Sequence, residues 1–172
     1  MIKNLSIFFT VLVSIILTFT SLGFAQEKAT PDEVYEMVLK AAQVIEQLGP
    51  EGIAVLSDTK EFVWKDSYVW AINCSEKKLV AHPNKKLIGL DLSKIYDKNP
   101  DESKRKLHNL EMCEGCKNPN GAWVEYWWEK LGEEKPYRKI SFIIQIPDSP
   151  YQVTAGIYDD STTIEELNKT LQ

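Results

Sequence analysis

The chain has 172 residues, enough for one domain with a real core. Its hydrophobic fraction of 44% and charged fraction of 26% are those of an ordinary soluble globular protein. A formal net charge of -5, with no basic stripe interleaved with aromatics, argues against nucleic acid as a partner. No internal repeat and no low-complexity tract is visible.

In chain order, residues 1–25 read as a signal peptide and residues 26–172 as one domain. Lys3 supplies a positive start, an apolar run extends from Leu5 to Leu22, and Gly23-Phe24-Ala25 offers small residues for cleavage before Gln26. The run is also close to the length that spans a bilayer, so the alternative is an uncleaved anchor in the inner membrane. Either way the remainder is exported, to the periplasm or beyond.

Thr30-Pro31-Asp32-Glu33 is a helix start, with an N-cap Thr, Pro at the first helical position and Glu closing a capping box. Val34, Met37, Val38, Ala41, Ile45 and Leu48 follow at three- and four-residue steps, giving one apolar stripe that ends at Gly49-Pro50. A short helical turn is expected over 50–58. Residues 68–74 read as a strand, 75–78 as a polar turn and 79–82 as the partner strand, which Pro83 ends. Residues 84–101 look irregular, and 102–112 read as a short helix. Three aromatic or β-branched runs (123–128, 140–146 and 151–158) follow as antiparallel strands, separated by a charged loop over 131–136 and a Pro-Asp-Ser-Pro turn. Thr162 and Glu165 read as a second capping box, opening a closing helix with Ile164, Leu167 and Leu171. This order of helix, two strands, connection, three strands and helix is α+β with an antiparallel sheet.

Cys113-Glu114-Gly115-Cys116 is a C-x-x-C, and Cys74 stands alone and is expected to be buried. In an exported protein the close pair is most simply a local Cys113–Cys116 disulfide pinning the loop before Trp123. Haem attachment would need His after the second Cys, where Lys117 stands, and no βαβ unit supports thioredoxin-like chemistry. A redox or metal-handling role for Cys113 and Cys116 stays open as the alternative, and a metal site could enlist Cys74 and His108. No nucleophile elbow, zinc-protease motif, P-loop or dinucleotide fingerprint is present, so no enzyme activity and no cofactor are expected. Asp159-Asp160 reads as support for the start of the last helix.

Five pieces in order carry a resemblance: residues 62–70 (Phe-Val-Trp-Lys-Asp-Ser-Tyr-Val-Trp), Val80-Ala81-His82-Pro83 with Ile88-Gly89, residues 121–128, residues 138–142, and Ala155-Gly156-Ile157-Tyr158-Asp159-Asp160. Together they resemble the single Cache domain of bacterial extracytoplasmic sensors, over about residues 30 to 170. The resemblance implies a PAS-like antiparallel sheet of about five strands with a long N-terminal helix packed on it. It also implies a small-molecule pocket between the sheet and the central connection, and a sensory role in signal transduction or chemotaxis.

His82 is the first candidate ligand contact. In related C4-dicarboxylate sensor kinases a His-Pro followed by Ile-Gly sits in a similar place, and its His contacts a ligand carboxylate. Those sensors carry Arg where this chain has Leu79, which favours a monocarboxylate or another small polar ligand. The alternative for His82 is a strand-end His bonded to backbone. Lys139 is the second candidate, a cation at the start of an apolar strand that can pair with a carboxylate; the alternative is a solvated hairpin edge. Arg138 points to the opposite face. Tyr68 with Trp70, and Tyr126 with Trp128, each share a strand face and can wall a pocket with polar-tipped aromatics, or be plain core. The reading is an exported ligand-binding protein with a small carboxylate as ligand, its bound form read by a separate membrane-bound signalling partner.

Overall fold

The computed structural model describes residues 26–171. The leader read over residues 1–25 lies outside them.

Helix α1 (Pro31–Leu48) begins as its sequence dictates. The Thr30 hydroxyl accepts from the Glu33 N–H at 3.3 Å, and the Thr30 N–H donates to the Glu33 carboxylate at 2.9 Å. Val34, Val38, Ala41 and Ile45 are buried, but Leu48 is 49% exposed, so the apolar stripe ends a turn earlier than its spacing predicts. Gly49 takes a positive φ of 60° that L side chains rarely adopt, and Pro50 directly starts α2 (Pro50–Asp58), a full nine-residue helix rather than a turn.

The sheet has six strands: β1 (Val63–Trp64), β2 (Ser67–Asn73), β3 (Lys78–Ala81), β4 (Ala122–Glu129), β5 (Pro136–Gln145) and β6 (Tyr151–Tyr158). Its order is β1-β2-β6-β5-β4, with β3 also paired to β2, and every pairing is antiparallel. The two-residue β1 is the strand beyond the expected five. Strand β5 begins at Pro136, inside the stretch read as loop, because a proline is tolerated at the first strand position. All residues of β2 are buried, since both faces of the sheet are covered.

One face packs on α1. Val69, Ala71, Ile140, Phe142, Val153, Ala155 and Ile157 meet Val34, Val38, Ala41 and Ile45 there. Over the other face run the central connection and α3 (His108–Gly115), with Leu92, Ile95 and Met112 covering Trp70, Ile72 and Ile143. The connection is irregular but built: Asn84, Asp91 and Asp101 each cap a single 3₁₀ turn by accepting from the N–H two residues on. Helix α3 starts six residues later than read, because residues 102–104 form the last of these turns.

Helix α4 (Ile164–Lys169) is capped by Thr163 and Glu166, one residue later than the Thr162–Glu165 box read from sequence. Thr162 is already engaged: its N–H and hydroxyl both donate to the Asp159 carboxylate, which also takes the Ser161 N–H and hydroxyl. These donors hold the Asp159 carboxyl well below the usual carboxylate range. Asp159 thus shapes the turn before the helix rather than capping it.

The disulfide differs from the expected one. Cys113 bonds Cys74, tying α3 to the end of β2 with Cα atoms 5.7 Å apart, and Cys116 is the free thiol. In a helical turn, residues three apart hold their Cβ atoms about 5–6 Å apart. A disulfide needs about 3.5–4.5 Å. Cys116 instead turns into the core and donates its S–H to the Cys113 carbonyl at 3.2 Å. Cys74, expected alone and buried, is half-buried and bonded.

Candidate functional site

The site grows from cross-strand register. Tyr126 of β4 lies opposite Lys139 of β5, and Lys139 lies opposite Tyr158 of β6, so the three side chains form one row on the face away from α1. Ser141 and Gly156 make the next row, and Trp70, Thr154 and Ile143 the one after. Gly156 leaves the space that Lys139 occupies: a Cβ there would stand 2.1 Å from Ser141 Oγ and 3.0 Å from Lys139 Cε.

Lys139 has no accessible surface, and its Nζ has no hydrogen-bond partner. Three aromatic rings surround it, with centroids at 3.8 Å (Tyr68), 4.6 Å (Trp70) and 4.8 Å (Tyr158). Burial pulls its amine well below the ordinary lysine range, and the negative charge of Asp66 only partly opposes this. Asp66 is itself engaged, accepting from the Ala29 N–H at 2.9 Å and pairing with Lys130 at 3.0 Å. A buried ammonium costs several kcal/mol in desolvation. Cation–π attraction returns about 2 kcal/mol. An anion brought to Nζ would supply what the closed site does not.

Two histidines flank the rings. His82 packs edge-on against Tyr68 at 5.0 Å, and its Nδ1 accepts from the Asn84 N–H at 2.8 Å. His108, from the first turn of α3, stacks on Tyr126 at 4.3 Å with 12° between planes. Burial first, then the Lys139 charge, pulls both down to about 3, so both rings are neutral at pH 7. Burial likewise raises the Tyr68, Tyr126 and Tyr158 hydroxyls, which stay protonated. Tyr126 bonds Ser141 at 3.0 Å.

Tyr68, Trp70, His82, His108, Asn109 and Tyr126, with Trp128 at the rim, enclose an inner cavity of about 10 Å³. That is roughly the least space that admits one water. Lys139 does not border it; Tyr68 and Trp70, which do, stand against its Nζ. Tyr68, His82, Leu87 and Trp128 also line a surface groove of about 340 Å³, bounded by Lys98 and the β4–β5 loop. These four side chains stand between groove and cavity.

The six sequence candidates (Tyr68, Trp70, His82, Tyr126, Trp128 and Lys139) therefore converge on one side of the sheet. His82 combines both roles considered for it, a backbone hydrogen bond through Nδ1 and a ring against the cavity. Arg138 faces the other way, bonding the Glu125 carboxylate and the Asp159 and Thr162 carbonyls. Leu79, at the position occupied by Arg in the dicarboxylate sensors, lines the cavity as an apolar wall. Sequence reasoning missed Tyr158, His108 and Asn109 at the site. Tyr158 carried a signal, since it ends a strand in register with Lys139. The α3 pair carried none, because its helix start was misplaced.

Among the described residues no group of three or more His, Cys, Asp or Glu is placed to hold a metal. Cys113 is bonded to Cys74, so Cys113 and Cys116 are not a free dithiol pair.

An antiparallel sheet with helices on one face and an aromatic-lined cavity on the other defines an α+β fold. The family model for the Cache domain matches residues 51–163, and the chain belongs to that family. It is similar to the periplasmic sensor domain of a chemotaxis protein, at 26% identity over 73% of this chain and 88% of that one, with a TM-score of 0.56. The fold is shared with a Cache chemosensory domain described for carboxylic acid recognition (22% identity, 75% of this chain and 92% of that one, TM-score 0.60). It is shared as well with a methyl-accepting chemotaxis protein from Vibrio parahaemolyticus (16% identity, 75% and 88%, TM-score 0.61). No described helix is long and apolar enough to cross a membrane.

Proposed function

We propose that this Cache domain works outside the cytoplasm, binds a short carboxylate on Lys139, and signals its occupancy to a separate membrane-bound partner, with no bond made or broken. The observation that carries the reading is the Lys139 Nζ, buried, ringed by aromatics and without a hydrogen-bond partner. A charge-assisted bond to a carboxylate is the simplest way to satisfy it. Small size follows from the confined cavity and from Leu79, which offers no second cation. The Cache chemosensory domain that shares this fold is described for carboxylic acid recognition, which supports the same ligand class.

Entry from the groove requires Tyr68, His82, Leu87 or Trp128 to move. Tyr68 follows Asp66 and Ser67 at the start of β2, and Asp66 accepts from the backbone of Ala29 just ahead of α1. A ligand that displaces the Tyr68 ring therefore acts one short step from the entry to the long helix. That is the element through which occupancy would reach a partner.

Thermal unfolding in acetate, propionate, butyrate and lactate tests this, with Lys139→Met alongside. A ligand at 100 times its Kd should add about 2.7 kcal/mol to the parent and nothing to the variant. Equal stabilisation of both proteins would refute Lys139 as the anchor, and no stabilisation by any acid would refute the carboxylate.

A further inference from the structure

The carboxylate reading leaves one buried polar group of the cavity unexplained. Asn109 is 1% exposed and lines the cavity from α3. Its side-chain Nδ2 lies 3.2 Å from His108 Nε2, and its Oδ1 has no hydrogen-bond partner. Burial keeps the His108 ring neutral, so it carries one N–H; with the Asn109 amide nitrogen at Nε2, that proton is on Nδ1, which itself has no hydrogen-bond partner. Nε2 is then the acceptor for the Asn109 amide, and Oδ1 is left as a bare carbonyl in an aromatic wall. Such a group is costly to bury unless a donor meets it.

We propose that Asn109 selects for a hydrogen-bond donor on the ligand, and that the ligand is a short hydroxy-carboxylate with its carboxylate on Lys139 and its hydroxyl on Asn109 Oδ1. This rests on the carboxylate reading and extends it to the other end of the molecule. Tyr126 links the two ends: it is the cross-strand neighbour of Lys139, and His108 stacks on its ring.

A hydroxyl fits better than an ammonium because, among the described residues, no carboxylate lines the cavity. Asp66 is engaged by Ala29 and Lys130. The other buried carboxylate, Asp97, accepts from the backbone N–H groups of Lys106 at 2.9 Å and Trp127 at 3.1 Å. Lys139 itself would repel a second cation, whereas a hydroxyl needs only the acceptor that Asn109 provides.

Calorimetric titration of the parent protein with matched probes tests the proposal. Lactate and 3-hydroxybutyrate are compared with propionate and butyrate, which lack only the hydroxyl, and alanine is included as the ammonium analogue. At least one hydroxy acid is expected to bind on the order of 10- to 100-fold tighter than its deoxy partner, with alanine no tighter than propionate. Asn109→Leu should erase that preference; its circular dichroism reports whether it folds. The parent comparison decides alone if the variant does not fold. Equal binding of deoxy and hydroxy acids, with Lys139→Met still abolishing both, overturns the Asn109 assignment and leaves the carboxylate reading standing. Tightest binding by alanine, or a preference that survives in Asn109→Leu, also overturns it. Failure of all five probes to bind removes both readings.

Discussion

The two faces of one sheet are built to opposite rules. Toward α1, strands β2, β5 and β6 present Val69, Ala71, Ile140, Phe142, Val153, Ala155 and Ile157, an apolar surface against an apolar helix. Toward α3, the alternate residues of the same strands include Tyr68, Trp70, Lys139, Ser141, Thr154 and Tyr158, aromatic or polar, with Ile72 and Ile143 as the apolar exceptions. Among the described residues, four of the five buried side-chain atoms without a hydrogen-bond partner (Lys139 Nζ, Thr154 Oγ1, His108 Nδ1 and Asn109 Oδ1) lie on this second side. The first face supplies cohesion. The second carries unsatisfied polarity that lowers stability and gives a ligand something to bind.

The largest effect should come from damaging the first face. Phe142 is fully buried between Tyr35 and Trp123, with ring centroids at 4.9 Å and 5.4 Å. Phe142→Ala should cost about 3–5 kcal/mol in chemical denaturation. Ligand affinity measured well below the melting temperature should be unchanged, because Phe142 points away from the cavity. A loss of affinity in the folded variant would show that the faces are coupled and break the division drawn here.

The opposite outcome is expected on the second face. Lys139→Met removes an unpartnered buried amine and keeps a flexible chain of similar length among the three rings. Replacing a buried charge by an apolar side chain is often stabilising by about 1–4 kcal/mol. The variant should melt higher than the parent and fail to bind carboxylates. A variant that melts lower would mean that the aromatic cage already satisfies the ammonium, and the second face would then be a stabilising one as well.

Much of this was legible in sequence because the physics was local. The capping box at Thr30, the three aromatic strands, and the inward alternation that separates Lys139 from Arg138 all follow from rules spanning a few residues. What failed was long-range or hung on a single residue of phase. The Cys74–Cys113 bond joins residues 39 apart in sequence, and only the docking of α3 on the end of β2 brings them together. Thr162 and Thr163 differ by one position, and the choice was made by Asp159 taking the Thr162 hydroxyl. His108 and Asn109 stayed invisible at the site because capped 3₁₀ turns carry no periodicity from which to place the helix that follows.

Acid should separate the faces again. His82 and His108 are held neutral in the fold down to about 3, whereas unfolded histidines protonate near their usual 6.5. Between those values the unfolded chain binds more protons, so stability falls as pH falls, by up to about 1.4 kcal/mol per pH unit for each ring. Folded carboxylates held low, such as Asp159, contribute only at more acid pH, near and below the unfolded carboxylate range. Denaturation between pH 6.5 and 5 therefore reports the site side alone. In Lys139→Met the folded histidines should protonate at higher pH, so the loss of stability should level off sooner as pH falls, because one cause of the histidine depression is gone. A flat profile in the parent would mean that the rings are already solvated.

The smallest effect returns to the first face. Thr163→Ala deletes the α4 cap, whose hydroxyl accepts from the Glu166 N–H at 3.3 Å, and should cost about 1 kcal/mol. Thr162→Ala makes the contrast, since its hydroxyl serves the Asp159 turn rather than the helix. Ile164 and Leu167 pack from α4 against the α1-side core, and Asn168 bonds the Trp123 backbone, so fraying α4 loosens the apolar side alone. Amide exchange should therefore quicken over α4 and the start of β4 in Thr163→Ala, with protection at Tyr68, Lys139 and His108 unaltered. Faster exchange at those site residues would mean that the faces melt together, and that the sheet between them is too thin to insulate recognition from cohesion.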